Sequence, residues 1–270
     1  MHIMEKKDIQ FQNIIWEYYK KNKRPMMWRD DTSPYSIFVS EVMLQQTQVA
    51  RVKIKYPQFL QAFPGFASLA KADTITLLSV WHGMGYNRRA LYLKASAEII
   101  VTKHNSRLPE DPTVLDALPG IGQATASSIA AFAYNKPVVF IETNIRRVFI
   151  HHYFADKADV NDRDILPLVE KTLDAKNPRE WYWALMDYGA YLATLGNNPN
   201  KKSRHYKKQS AFKGSVREVR GGVIALLLKR PHTKKELEDL YDKDERLFTA
   251  ISQLEKEGFI IEAQGTYLIK

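Results

Sequence analysis

The chain has 270 residues, 45% of them hydrophobic and 26% charged, enough for one large domain or two modest ones with true cores, and ordinary for a globular protein. It has no cysteine, which excludes disulfides, a thiolate nucleophile and any cysteine-held zinc or iron–sulfur cluster. No apolar run is long enough to span a bilayer, and the opening MHIMEKKDIQ lacks the apolar core of a signal peptide, so no membrane partner and a cytoplasmic, nucleoid-associated location are expected.

The net charge of +10 suits an anionic partner. Residues 215–270 are charge-balanced, so the whole excess lies in residues 1–214. Between Tyr188 and Arg217 no acidic residue occurs, while Lys201, Lys202, Arg204, Lys207, Lys208, Lys213 and Arg217 fall in that window. A solvated basic loop would look like this, but the density of cations with nearby tyrosines reads as a phosphate-contacting segment.

Residues 8–22 carry Phe11, Ile14, Ile15 and Tyr18 or Tyr19 on one face, an amphipathic opening helix. A loop follows at Pro25 and at Asp30-Asp31-Thr32-Ser33-Pro34, with Trp28 expected as a core anchor. The next helix carries Glu41 within a long uncharged run. Composition favours an exposed Glu41; held among apolar groups instead, its carboxyl would have a raised pKa and serve as a general acid near neutrality. Residues 51–79 read as two helices broken at Phe63-Pro64-Gly65, with Asp73 as an N-cap. In Trp81–Ala90, two glycines bend the chain before paired arginines, so Tyr86 is either displayed on the bend, as a wedge for a base stack, or buried as a core tyrosine.

Leu115, Leu118 and Ile121 have helical spacing, Pro119-Gly120-Ile121-Gly122 is a tight turn, and Gln123–Tyr134 starts a second helix. Gly120 and Gly122 allow the backbone close to a ligand, and the N–H groups opening the second helix at Gln123 favour an anion such as a DNA phosphate. LPGIG alone fits an ordinary helical corner equally well; Glu142, opening Glu142-Thr143-Asn144-Ile145-Arg146-Arg147, favours the DNA reading. His151 and His152 point apart on a helix with no third ligand nearby, and stay structural. Residues 164–175 and 178–195 read as helices ending at Gly196–Asn200. From Val216, three helices, one opened by a capping box at Thr233–Glu236, precede a hairpin of 259–262 and 266–269, the outline of a winged helix.

These motifs together resemble the helix–hairpin–helix DNA glycosylase superfamily, most of all its MutY-type adenine DNA glycosylases. The resemblance covers roughly residues 8–195 and rests on SPYSIFVSEVMLQQTQVARV, WHGMGYNRRA, LPGIGQATASSIAAFAY, ETNIRRV and WALMDYGA, in family order. It implies an all-α, two-lobed fold with the active site in a cleft between helical lobes, plus the small winged-helix-like domain. It also implies flipping of a nucleotide from double-stranded DNA and cleavage of its N-glycosidic bond. The corresponding division is 1–195 as glycosylase domain, 196–214 as basic connector and 215–270 as winged-helix-like domain. By position, Glu41 matches the acid that protonates the leaving adenine. Glu142 stands where the family has a catalytic aspartate, and Asn144 matches an asparagine beside it. Gln46 and Tyr86 match residues entering the stack around the flipped base. Gly120, Gly122 and Gln123 match the phosphate-binding hairpin, where a structural cation is also left open.

Four features depart from the family. Glu142 adds a methylene to the expected aspartate. Ala124 replaces the Schiff-base lysine of bifunctional relatives, which argues against β-lyase activity. Thr194–Tyr206 replaces the four-cysteine iron–sulfur loop, so no such cluster is expected, and Lys201, Lys202 and Arg204 are expected to contact phosphates in its stead. No part of the sequence is expected to form the family's Nudix-like domain, and a protein partner through the C-terminal domain of an otherwise monomeric chain is left open. The favoured reading is a monofunctional DNA glycosylase of base excision repair acting on a mispaired base, adenine opposite G or 8-oxoguanine. Excision of thymine or uracil from mismatches, and a catalytically weak lesion- or DNA-structure-binding protein, are the alternatives.

Overall fold

A computed structural model describes residues 4–270, so that the first three residues of MHIMEKKDIQ and of the expected 1–195 domain lie outside the described residues. Two compact units appear, one made of the described part of Met1–Glu41 with Leu108–Lys208, the other of Val42–Arg107 with Gln209–Lys270. Residues 42–107 and 209–270 thus share a unit, a different division from 1–195, 196–214 and 215–270. Continuity along a chain does not say which segments pack together.

Helices α1 (Lys6–Asn22), α2 (Met27–Asp30) and α3 (Pro34–Leu44) open the chain. Then come α4 (Val49–Ala62), α5 (Phe66–Ala70), α6 (Thr74–Trp81) and α7 (Arg88–Lys103). Where two helices were expected over 51–79 there are three. The chain breaks again at Lys71-Ala72-Asp73, because Asp73 Oδ1 accepts from the Thr76 N–H at 2.8 Å and caps a new helix. The chain continues through α8 (Pro112–Asp116), α9 (Gln123–Tyr134), α10 (Thr143–Tyr153), α11 (Asp162–Thr172), α12 (Pro178–Thr194) and a 3-10 turn at Pro199–Lys202.

In the first unit α10 and α12 pack on α1 around a buried core. Phe11 of α1 meets Phe149 of α10 at 5.1 Å between ring centroids and Trp181 of α12 at 6.1 Å. His152 belongs to this aromatic packing, its ring 5.2 Å from Phe11, and burial with His151 and Lys7 nearby pushes its pKa down to about 4. Trp28 is buried, as expected of an anchor.

The second unit buries Tyr56, Phe59, Leu69, Leu77 and Trp81 from α4, α5 and α6. Its C-terminal part contains α13 (Val216–Leu227), β1 (His232–Thr233), α14 (Lys234–Leu240), α15 (Glu245–Lys256), β2 (Ile260–Ala263) and β3 (Thr266–Ile269). The strands form an antiparallel sheet in the order β1-β3-β2, with Ile260 opposite Ile269 and His232 opposite Tyr267. The all-α fold with a small winged-helix-like end is therefore present; the two-residue β1 is too short to leave a periodic signal in the sequence.

One close approach positions the site described next. A Cβ added to Gly189 of α12 would lie 2.5 Å from the Asn144 carbonyl oxygen and 2.7 Å from the Asn144 Cβ. Gly189→Ala must push the start of α10 away. We expect a loss of about 1–3 kcal/mol, a fall of several degrees in thermal midpoint; an unchanged midpoint would mean that α10 yields freely.

Candidate active site

Glu41 lies near the end of α3, after buried Phe38, Val39 and Ser40. It is neither freely exposed nor wholly enclosed, and its carboxyl group is desolvated. Burial pushes its pKa up to about 7. The Ser128 hydroxyl, 2.5 Å from Oε2, offsets part of that; the Glu142 carboxylate adds to it and the Arg29 guanidinium opposes it.

Glu142 is the N-cap of α10. Its Oε1 accepts from the backbone N–H groups of Asn144 at 2.7 Å and Ile145 at 2.9 Å, and its Oε2 accepts from Asn144 Nδ2 at 3.2 Å. Burial raises its pKa, while those N–H groups and the Arg147 and Arg146 guanidinium groups pull the other way. The extra methylene is thus taken up by folding the side chain back over the first turn of α10. Asn144 is held from both sides, since its Oδ1 accepts from Arg147 Nη1 at 2.7 Å. Arg147, 7% exposed, also donates to the Gly189 carbonyl at 2.7 Å and to Asn198 Oδ1 at 3.1 Å.

Two supports escaped the sequence reading. Arg147 had its signal in the ETNIRRV run. The other is a buried ion pair, in which Arg29 Nη1 and Nη2 each lie 2.8 Å from an Asp187 carboxylate oxygen and Arg24 Nε lies 2.5 Å from Oδ1. Burial alone would raise the Asp187 pKa, but the Arg29 and Arg24 contacts outweigh it and hold it below the usual carboxylate range. Its signal was one aspartate inside the apolar run WYWALMDYGA.

Elsewhere in the same unit, Gly120, with φ +74°, makes the turn into α9, and Gly122 is its N-cap. Gly120, Gly122, Gln123 and Ala124 are all exposed, and nothing lies within 4 Å of a Cβ built on Gly122. That leaves the N-terminus of α9 open to an anion. Lys201 is exposed, but Lys202 donates to the Ala155 carbonyl and Arg204 is paired with Asp159. A polar cavity of about 170 Å³ lies beside them, lined by Thr143, Arg146, Arg147, Asn198, His205 and Lys207 among others.

Gln46 and Tyr86 belong to the second unit. Both have left-handed backbones, φ +51° and +47°, uncommon for residues with a side chain. Tyr86 is displayed, at 40% exposure, and its hydroxyl accepts from Gln209 Nε2 and, at 3.3 Å, from Arg217 Nη1. Both bends are held by Arg89, which sequence reasoning passed over as one of a basic pair. Its guanidinium donates to the carbonyls of Val42 and Met43 at 2.9 Å and Gln45 at 2.6 Å, to Thr47 Oγ1 at 2.9 Å, and to the Met84 and Gly85 carbonyls at 3.4 and 3.1 Å. Burial pulls its pKa down to about 10.

Residues 39–167 match the family model described as HhH-GPD superfamily base excision DNA repair protein. The chain is 33% identical over 245 residues to the adenine DNA glycosylase of Mycobacterium tuberculosis (strain H37Rv), covering 82% of this chain and 80% of that protein. It is 33% identical over 193 residues to the adenine DNA glycosylase of Buchnera aphidicola subsp. Baizongia pistaciae, covering 70% of this chain and about half, 54%, of that protein. In fold it is similar to a thermostable thymine-DNA glycosylase, with a TM-score of 0.65 at 23% identity over 73% of this chain and 92% of that one. It is also similar in fold to an endonuclease III in a non-covalent DNA complex, with a TM-score of 0.58 at 17% identity over 70% and 87% of the two chains.

Removing the Arg89 guanidinium takes a donor from five carbonyls, of which those of Val42, Gln45 and Gly85 keep a second donor in the Gln45 N–H, the Thr47 hydroxyl and Trp81 Nε1. Arg89→Met is expected to cost at least about 2 kcal/mol and to speed proteolysis at residues 44–47 and 83–87. Arg89→Lys, a point charge in place of a planar fork, should recover only part of this. Melting and proteolysis like those of the parent in Arg89→Met would show that the two bends hold themselves.

Proposed function

Because the chain belongs to the helix–hairpin–helix superfamily of base excision DNA repair proteins, we propose that it is a monofunctional DNA glycosylase that releases a mispaired adenine. The observation that carries the reading is the pair of desolvated carboxyl groups in one unit, Glu41 poised near neutrality and Glu142 fixed on the N-terminus of α10. The names of the relatives at 33% identity support adenine.

In the proposed reaction, protonated Glu41 gives its proton to a ring nitrogen of the purine. The C1′–N9 bond then breaks with its electron pair moving to the base, which leaves neutral. The Glu142 carboxylate faces the positive charge that develops on the sugar and orients a water molecule. The water oxygen bonds to C1′ and its proton passes to solvent, leaving an abasic site. Asn144, fixed between Glu142 and Arg147, keeps that carboxylate in place. Ala124 offers no amine to the sugar, which supports hydrolysis without strand cleavage, and a chain without cysteine has no thiolates for the family's iron–sulfur cluster.

Double-stranded DNA is the proposed partner, met by the open N-terminus of α9, by Lys201 and by the displayed Tyr86 with Gln46. Lys202 and Arg204, engaged with Ala155 and Asp159, contribute less in this reading than the sequence suggested.

A single-turnover assay tests the proposal on duplexes offering A opposite 8-oxoguanine, G and C, and T or U opposite G. We expect adenine release that Glu41→Gln and Glu142→Gln each lower at least about a hundredfold, with intact strands before alkali. Release of a pyrimidine would overturn the substrate, and tight duplex binding with no base released would replace the enzyme by a DNA-binding protein.

A further inference from the structure

Ser128 is 4% exposed on α9, and its Oγ has two oxygen neighbours: Glu41 Oε2 at 2.5 Å and the Thr125 carbonyl at 2.9 Å. A serine hydroxyl has one proton and cannot donate to both at once. The three oxygens therefore have two complete hydrogen-bonded arrangements. In one, Ser128 O–H points to Glu41 Oε2, which must then be an unprotonated oxygen. Any proton on the carboxyl group sits on Oε1, which has no hydrogen-bond partner among the described residues and is free to give that proton away. In the other, Ser128 O–H turns to the Thr125 carbonyl, its Oγ becomes an acceptor, and Oε2 carries the proton and donates it to Oγ.

We propose that Ser128 is a positioning residue for Glu41, its hydroxyl selecting which carboxyl oxygen holds the proton. The inference rests on the assignment of Glu41 as the general acid. With the hydroxyl turned to Thr125 the proton is parked on Oε2. With it turned to Glu41 the proton is on Oε1, ready for the base. After transfer the carboxylate keeps the Ser128 bond, so the side chain stays oriented until it is protonated again. The charged groups that face Glu41 are the Glu142 carboxylate at the start of α10 and the Arg29 guanidinium of α2, and neither can both donate to the carboxyl group and accept from it. The 2.5 Å contact is in the range of an O–H···O⁻ bond, roughly twice as strong as a neutral one.

The sign of the pH effect follows from the donor. A hydroxyl that donates to the carboxylate favours the ionised form, so its loss raises the Glu41 midpoint, whereas loss of the Glu142 charge lowers it. The test uses the full chain as Ser128→Ala, Ser128→Thr, Glu142→Gln and Glu41→Gln. The Glu41 titration is followed without DNA by isotope-edited infrared spectroscopy of glutamate carboxyls, with Glu41→Gln identifying the band. We expect the midpoint to rise by about one pH unit in Ser128→Ala and to move down in Glu142→Gln. In single turnover, Ser128→Ala should release base about tenfold more slowly at a pH below both midpoints, where the acid is protonated in either protein and only its placement differs. Ser128→Thr, which keeps the hydroxyl, should restore both the midpoint and most of the rate.

A Ser128→Ala protein with the parental midpoint and rate would overturn the role of Ser128 while leaving the glycosylase reading intact. Base release at the parental rate by Glu41→Gln would instead sink the assignment of Glu41. Should Ser128→Thr pack poorly, as thermal melting would reveal, the Ser128→Ala titration and rate still decide the question.

Discussion

Two desolvated carboxyl groups in one helical unit form the constraint on which the candidate site depends. A buried carboxylate is costly unless hydrogen bonds or opposite charge compensate it, and the two glutamates are compensated unequally. Glu142 has two backbone N–H groups, the Asn144 amide and two nearby guanidinium groups. Glu41 has one hydroxyl and the charge of Arg29, and it feels Glu142 besides. Burial raises both carboxyl pKa values, that of Glu41 to about 7, and the N–H groups and guanidinium groups around Glu142 oppose the rise there. Unequal environments of this kind are what an acid and base assignment of two chemically identical groups requires.

The surrounding residues keep that inequality in place. Gly189 lets α12 touch the backbone of Asn144, and Arg147 ties Asn144, Gly189 and Asn198 together. The Asp187–Arg29 pair, buried in the same unit, fixes the guanidinium that acts on Glu41. Breaking such a pair by removing one partner leaves an uncompensated buried charge, so its cost would fall on fold and site together. The segment that follows α12 is held largely by side-chain amides. Asn198 accepts from Arg147, Asn200 Nδ2 donates to the Thr143 carbonyl at 2.9 Å, and Val160 pairs with Ser203. The side-chain amides of Asn198 and Asn200 thus tie this stretch to α10, the first through a charge-assisted bond to Arg147.

The second unit shows a different economy. Gln46 and Tyr86 sit in left-handed backbone conformations that side chains disfavour, and one buried arginine with carbonyl partners on both bends holds them there. Strain of this kind persists only where neighbouring structure over-determines it. Arg89 is placed by α7, so the geometry of both displayed residues depends on a helix that carries neither.

Much of this was legible in the residues. Apolar spacing marked nearly all the helices, the Thr233 capping box and the terminal hairpin marked the winged-helix-like end, and LPGIG marked an exposed turn before α9. Asp73 was legible as an N-cap, but the five-residue α5 before it was missed because so short a helix leaves too few apolar positions for a period of its own. Composition alone favoured an exposed Glu41, because sequence spacing gives the face of a helix and not what packs on that face. By itself the sequence determined the helical class, the absence of thiolates and the types of charged group available, since these follow from local periodicity and composition. Only the tertiary structure decided that Ser128 meets Glu41 across 87 positions of chain, that Arg147 grips Asn144 and Asn198, and that Arg29 pairs with Asp187. Such contacts set the local dielectric and hydrogen bonding of each carboxyl group, and with them its proton affinity, which no spacing along the chain encodes.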